Sequence, residues 1–560
     1  MKAWASAKPQ LELQRELSEA LQIHPITAQL LTNRGILNPQ AAAVFLRPEL
    51  KHLPDPLLFI DMDKAVGRIT RALQDKEQIA IYGDYDVDGI TSTALLAKFL
   101  RTVGHEAILF IPHRIRDGYG MTSPGVKQLA EQGAKLIVTV DNGSHAHDAI
   151  HTADELGIDV VVTDHHEMGE LPPACAVVNP KRPGSAPAFE VLAGCGVVFF
   201  LIMALRRHLR EKGLLPKEPV LRPLLALAAI GTIADSVPLI GINRILASVG
   251  LTELLRTENV GLRALMRLAK LPDDRLQSWH ISFGIAPRLN AAGRIAEPAL
   301  ALELLLTDDS SRGSTLAEQL NTLNTERQSL QEQVLQEALI QAEVQRLSGA
   351  TVVYHPSWEP GVIGIVAAKL VETFGQPAVV ISGKDKTLKG SVRSIPQLNI
   401  VECLKECADH LTQFGGHAQA AGVSITANFV DPFRQRLAEV CAEKMKDIPR
   451  SHMKIDAITP FSDISETLIH ELHLLEPFGI GNPEPLFATH DIEITDSRIV
   501  GENHFKFMAK EGRNRLDAIA FRQAEKFTGL SSCRVAFRPE LNHYNGVTRM
   551  QLKIVDLLKG

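Results

Sequence analysis

With 560 residues, 45% of them hydrophobic and 22% charged, the chain reads as a soluble globular protein of three or four domains, not as a disordered, fibrous or membrane-embedded one. The net charge of −6 excludes a uniformly basic nucleic-acid binder. The charge is uneven, however: from Arg498 to Gly560 twelve Lys/Arg stand against six Asp/Glu, leaving +6 on this tail and −12 on the rest.

The N-terminal "MKAWASAKPQ" has no apolar stretch behind it and does not read as a signal peptide. Residues 1–75 read as a helical lead-in. An alternation follows. "QIAIY" (78–82), "EAILFI" (106–111), "KLIVTV" (135–140) and "DVVVT" (159–163) are strand candidates. "TSTALLAKFL", "SPGVKQLAEQG" and "HAHDAIHTADELG" between them are helix candidates. Short apolar runs alternating with helices predict a parallel sheet covered on both faces, and so a doubly wound α/β domain over 76–250. The longest apolar run, Val191 to Leu205, is 15 residues, shorter than a bilayer span, and predicts a buried helix.

A helical extension over 251–348 ends in 314–348, a stretch without Gly or Pro. Leu316, Leu320, Leu323, Leu330 and Val334 recur there at helical spacing, which predicts one long helix acting as a strut between domains. A second α/β unit is expected over 349–450, from "ATVVYH", "GVIGIVAAKLVETFG" and "PAVVIS". Over 455–560 the short half-alternating runs predict a small β-barrel. Of six scattered cysteines only Cys403 and Cys407 are close, with no second pair at zinc spacing. They read as reduced thiols of a cytoplasmic protein.

The polar clusters fall at the carboxyl ends of the predicted strands: Asp84, Asp86 and Asp88 after Tyr82, Asp141 after Val140, and Asp164, His165 and His166 after Thr163. That edge of an open α/β sheet is where ligands bind. Carboxylates crowded together raise one another's pKa, and a divalent cation relieves the repulsion. Carboxylates with imidazole suit Mn²⁺ or Mg²⁺, and a shared Asp would set two ions about 3.5–4 Å apart, as in two-metal hydrolases.

"GDYDVDG", "VDNG" and "DHH", in this order, resemble the DHH phosphoesterase superfamily. "GTIADSVPL" (231–239) looks like its fourth metal-binding motif, with Asp235 as ligand. "FGIAPRLNAAGR" (283–294), "KGSVRS" (389–394) and "FGGHAQAAG" (414–422) look like its RecJ branch, the last two belonging to the DHH-associated second domain. The resemblance implies a 5′→3′ exonuclease of single-stranded DNA in repair and recombination, with a C-terminal OB fold. Phe505, Phe507, Phe521, Phe537 and Tyr544 are candidate base platforms there, against barrel core as the alternative. By analogy one ion falls to Asp84, Asp86 and Asp141, and the other to Asp88, Asp141, His165 and Asp235. His166 is assigned to the scissile phosphate and Asp164 to orienting a histidine. Arg114, Arg288, Ser391 and Arg393 are candidates for a 5′-phosphate pocket, and His417 for a further phosphate contact.

One position departs from the pattern. Many DHH proteins carry a histidine where this chain has Tyr82, a poor Mn²⁺ ligand, so one ion is expected to be held more weakly or with help from Asp84. A monomer is expected, with a helicase and a single-strand binding protein as partners and no membrane. The alternatives are a DHH phosphodiesterase acting on short oligonucleotides or cyclic dinucleotides, and a catalytically inactive replication scaffold. The basic tail argues against the first and the retained carboxylates against the second.

Overall fold

The computed structural model describes residues 3–559 except 115, 216, 346, 449–451 and 545. Five parallel strands form the first sheet, in the order Ile108–Phe110, Ile79–Tyr82, Leu136–Val140, Asp159–Thr163, Ala176–Val178. Ile79 and Ile81 point into the larger core, against helices Met62–Asp75, Val87–Thr102 and Gly194–Glu211. Ala80 and Tyr82 point the other way, against Ser123–Glu131 and His147–Glu155. Burial on both faces is why these strands read as unbroken apolar runs. The run Val191–Leu205 lies mostly in the buried helix Gly194–Glu211. Among the described residues no helix is long and apolar enough to cross a membrane.

The strut is a single 36-residue helix, Ser310–Gln345, about 54 Å long at 1.5 Å per residue. Leu316, Ala317 and Leu320 near its start belong to the larger core of the first α/β domain. Val334, Ala338 and Ala342 near its end belong to the core under Thr351–His355 and Pro360–Phe374. The second domain is a mixed five-stranded sheet. Thr351–His355 and Ala378–Ser382 run parallel, and Leu388–Arg393, Ala420–Ile425 and Gln413–His417 follow antiparallel.

At the C-terminus Ile492–Val500, His504–Glu511, Asn514–Ala520, Val547–Lys559 and Ser532–Tyr544 pair in that order. Ser532–Tyr544 then pairs back to Ile492–Val500, closing a five-stranded barrel. The N-terminal helices Leu11–Leu21, Pro25–Asn33 and Pro39–Leu46 do not stand alone: Leu17, Leu30, Leu31 and Leu46 share one core with the barrel and helix Glu466–Leu474. Buried Arg244, on helix Gly241–Leu255, pins these parts to the first α/β domain. It donates to the carbonyls of Phe45, Leu475 and Leu474 at 2.8 Å each, with its guanidinium 3.8 Å from the Phe45 ring centroid.

Candidate metal centre

The three polar loops converge at the carboxyl ends of the parallel strands. Asp86 caps helix Val87–Thr102, accepting from the N–H groups of Asp88 and Gly89. Asp88, one residue into that helix, accepts from the N–H groups of Gly194 (2.6 Å) and Cys195 (2.9 Å) at the start of another. Gly194 is required by close approach: a Cβ there would lie 2.6 Å from Asp141 Oδ1. Asp141 itself has φ 63°, a left-handed conformation that Asp and Asn tolerate better than other side chains. Asp235 arrives from the C-terminal end of helix Leu225–Ala234.

His165 is the centre of the arrangement. Its Nε2 lies 3.2 Å from Asp141 Oδ1, 3.6 Å from Asp235 Oδ2 and 3.8 Å from Asp88 Oδ2. None of these is a formed hydrogen bond. His165 Nε2, Asp141 Oδ1, Asp235 Oδ2 and Asp84 Oδ1 are all buried polar atoms without a partner. Unpaired polar groups of this kind are costly inside a protein. Burial pushes up the pKa of Asp84, Asp141 and Asp235, and neighbouring carboxylates push it further. Burial also lowers that of His165. Oxygens and imidazole nitrogens oriented on common points, protonation-prone without a cation, are the donor set of a divalent metal centre. The ligand atoms fall into groups within 4.8 Å of one another: Asp84 with Asp86 and Asp141, Asp88 with His165 and Asp235, and Asp141 with His165 and His166.

Asp164 lies behind this cluster. Its Oδ2 accepts from Ser144 N–H and its Oδ1 from the His165 and His166 N–H groups, and Oδ1 lies 2.7 Å from His166 Nδ1. Burial would raise its pKa, but the His166 bond and charge hold it well below the usual range. Burial likewise opposes an imidazolium at His166, yet Asp164 lifts its pKa to about 9. The Tyr119 hydroxyl lies 3.2 Å from His166 Nδ1 and 3.1 Å from its Nε2, within reach of both ring nitrogens. Tyr82 is absent from the cluster. It is buried, its ring 4.6 Å from that of Phe110 and its hydroxyl accepting from Thr122 N–H.

Beside the carboxylates lies a group of arginines. The Arg114 guanidinium stacks over Tyr85 at 4.3 Å, and its Nε is buried without a partner. Arg393 donates to Ser391 Oγ at 3.3 Å. A Cβ on Gly364 would lie 3.0 Å from Ser391 Oγ and 3.3 Å from an Arg393 nitrogen, so the first turns of helix Pro360–Phe374 press against this pair. Arg288 is occupied elsewhere, donating to Gly284 carbonyl at 2.6 Å and to Asn321 Oδ1 at 3.0 Å. The arginine of that motif near the others is Arg294. Burial first, then Arg114 and Arg327, lower its pKa to about 10, with Asp86 opposing. His417 is exposed, two strands from Arg393 in one cross-strand row through Ala420.

Comparison with known proteins bears on this constellation. Residues 78–232 match the DHH family N-terminal domain, residues 346–443 the DHHA1 domain and residues 455–556 the RecJ OB domain. The single-stranded-DNA-specific exonuclease RecJ of Bacillus subtilis is 38% identical over 565 residues, covering 99% of this chain and 70% of that protein. The chain belongs to the RecJ family. Crystal structures of Thermus thermophilus RecJ cover 100% of it. The Mn²⁺ complex has TM-score 0.86 at 33% identity over 80% of that chain, and the Mg²⁺ complex 0.81 at 31% over 78%.

Within this RecJ-family chain, residue-by-residue reading of the sequence did not single out Arg294 and Tyr119, which the structure places beside the candidate metal centre. Arg294 ends a motif whose earlier Arg288 drew the assignment. Tyr119 lies in an ordinary-looking loop, though glycines on both sides of it were a visible sign of special backbone. In the barrel, Phe505, Phe507 and Phe537 are core, while Phe521 is 44% exposed. The Tyr544 side chain lies outside the described residues.

Proposed function

We propose that this chain is a divalent-metal-dependent exonuclease that degrades single-stranded DNA from its 5′ end in DNA repair and recombination. The observation that carries the reading is His165 Nε2 facing three carboxylates with no hydrogen bond formed. Asp84, Asp86 and Asp141 would hold one cation, and Asp88, Asp141, His165 and Asp235 the other. Bound there, Mn²⁺ or Mg²⁺ would supply a water of lowered pKa and positive charge beside phosphorus and the leaving 3′-oxygen. His166, kept as imidazolium by Asp164, donates to a non-bridging oxygen of the scissile phosphate, and the Tyr119 contact supports its orientation. Buried or half-buried Arg114, Arg294 and Arg393, with Ser391 and the N-terminal turns of helix Pro360–Phe374, bind a 5′-terminal phosphate. Arg288 supports the helix that carries Arg294, and His417 lies at the rim and meets a following phosphate.

Polarity and strand choice follow from that pocket, because a metal cluster alone does not distinguish strand ends. An enzyme needing a single-stranded 5′ end depends on a helicase and a single-strand binding protein to supply it. Both domains that line the cleft come from one chain, which supports a monomer. Six free cysteines, five of them buried, support a reducing, cytoplasmic setting. The decisive experiment digests 5′- and 3′-labelled single and double strands with Mn²⁺, Mg²⁺ or EDTA. Release of labelled mononucleotide from 5′-labelled single strands, abolished by EDTA, is expected. Release first from the 3′ label refutes the polarity.

A further inference from the structure

The loop that carries the carboxylates and the candidate phosphate pocket are joined by backbone packed on backbone, at two glycines. Gly293 is the first. A Cβ there would lie 2.5 Å from the carbonyl oxygen of Tyr85, which stands between Asp84 and Asp86 in the chain. Gly361 is the second, on the first turn of helix Pro360–Phe374 in the second domain. A Cβ there would lie 2.2 Å from the carbonyl oxygen of Arg294, the residue after Gly293. Arg294 also reaches across with its side chain, donating from Nη1 to the Gly361 carbonyl at 3.2 Å. Both glycines are buried. Neither has a positive φ, so the backbone conformation accepts other residues and only the space forbids them.

These contacts make a continuous spacer. The Tyr85 carbonyl seats Gly293, and the Tyr85 ring carries the Arg114 guanidinium. The Arg294 carbonyl seats Gly361. Three residues on, about one helical turn later, Gly364 presses on Ser391 and Arg393. Arg114 on one side of the pocket and Ser391 with Arg393 on the other are thus both set off from the loop of the candidate metal ligands. At the second joint the C-terminal end of helix Ala286–Ile295 meets the N-terminal end of Pro360–Phe374, and the opposite ends of two helix dipoles attract. A carbonyl held in a packed helix end does not swing aside as the tip of a long side chain does.

We infer that Gly293 and Gly361 are positioning residues that fix the distance between the metal centre and the 5′-phosphate pocket. A strand whose terminal phosphate sits in the pocket then presents the phosphodiester at that distance to the cations. The inference rests on the nuclease reading above and deepens it, from which groups hold the substrate to what sets their spacing. Neither glycine has a side chain to offer the substrate, so substitution acts through distance. Unbonded carbon and oxygen close to about 3.3 Å. Alanine at 361 must therefore move the two backbones roughly 1 Å apart, and a misplacement of that size can cost about 100-fold in rate.

The test uses the full chain with Mn²⁺ and 20-nucleotide oligo-dT carrying either a 5′-phosphate or a 5′-hydroxyl. The readouts are kcat/KM on each strand and the rise in melting temperature on adding Mn²⁺. Gly361→Ala should lose about 100-fold on 5′-phosphorylated strands. It should lose far less on 5′-hydroxyl strands, which do not engage the pocket, so the preference for phosphate collapses. Its Mn²⁺-dependent rise should match that of the wild type, because every metal ligand stays in place. Gly293→Ala opens the other joint and should show the same collapse; it takes over as the test if Gly361→Ala does not melt cooperatively. Gly67→Ala, on helix Met62–Asp75 with nothing within 4 Å of a Cβ placed there, should behave as the wild type. An unchanged phosphate preference in a folded Gly361 or Gly293 variant, or an equal loss on both strands, overturns the inference. Failure of both variants to fold overturns it too, since the glycines would then be folding contacts. A wild type that leaves single-stranded DNA intact with Mn²⁺, or cleaves both strands equally fast, sinks the nuclease or end-pocket reading instead, so the failures are distinguishable.

Discussion

Replacing Asp141 by Asn tests the metal centre with the smallest change of shape. Asn is chosen because position 141 has φ 63°; Ala there would cost about 1–2 kcal/mol of backbone strain, which Asn largely escapes. The carboxylate oxygens of Asp84, Asp86 and Asp141 lie within 4.8 Å of one another. At that separation and an effective dielectric of 20, each pair of charges repels by about 3.5 kcal/mol. Proton uptake relieves part of this in the metal-free protein, because burial and the neighbouring charges raise the pKa of Asp84 and Asp141. Asp141→Asn removes the repulsion of the two pairs that include Asp141, so in EDTA at neutral pH the variant should melt higher than the wild type. With Mn²⁺ the order should reverse: a ligand at 100 times its Kd stabilises the wild type by about 2.7 kcal/mol, and the variant, lacking the shared ligand, should gain much less. Nuclease activity should fall by more than tenfold, a barrier increase above about 1.4 kcal/mol. Thermal melts with EDTA and with Mn²⁺, beside initial rates, give all three readouts. A variant that melts lower in EDTA, or responds to Mn²⁺ as the wild type does, refutes the reasoning.

Arg393→Ala should remove a charge-assisted hydrogen bond of about 1.5–3 kcal/mol, and the deficit should fall on 5′-phosphorylated rather than 5′-hydroxyl strands; equal slowing of both would exclude Arg393 from reading the end. Arg513, Arg515 and Arg522 are exposed on the barrel. Their triple replacement by Ala should flatten the log–log salt dependence of single-strand binding by about 0.7 for each phosphate no longer neutralised, and an unchanged slope would deny the basic tail a binding role. Deleting residues 455–560 alone uncovers Leu17, Leu30 and Leu31, which share its core, and should give protein that elutes as aggregate on size exclusion. Arg244→Met should leave the Phe45, Leu474 and Leu475 carbonyls unpaired and cost at least about 3 kcal/mol, seen as a lower melting temperature.

The order of elements was legible in the sequence because local signals carry it. Strands buried on both faces must be continuous apolar runs, and a strut without Gly or Pro at helical spacing has no competing conformation. The carboxylate and histidine clusters were legible for the same reason. Each follows a strand directly, and parallel strands bring their carboxyl ends to one edge whatever the connections between them do. Side-chain direction was not local information. Tyr82 ends a strand just before the carboxylates, and only packing in the second core, with its ring beside Phe110 and its hydroxyl accepting from Thr122 N–H, shows that it takes no part in their cluster. Arg288 and Arg294 differ by six residues on one helix, and only the packing of that helix against the strut and the second domain decides that Arg288 meets Asn321 while Arg294 meets the other arginines. Nothing in the first 46 residues announces that they share a core with residues more than 400 positions away. That pairing arises where separate apolar faces find each other in space. The hydrophobic effect that joins them depends on the area removed from water and carries no record of sequence distance.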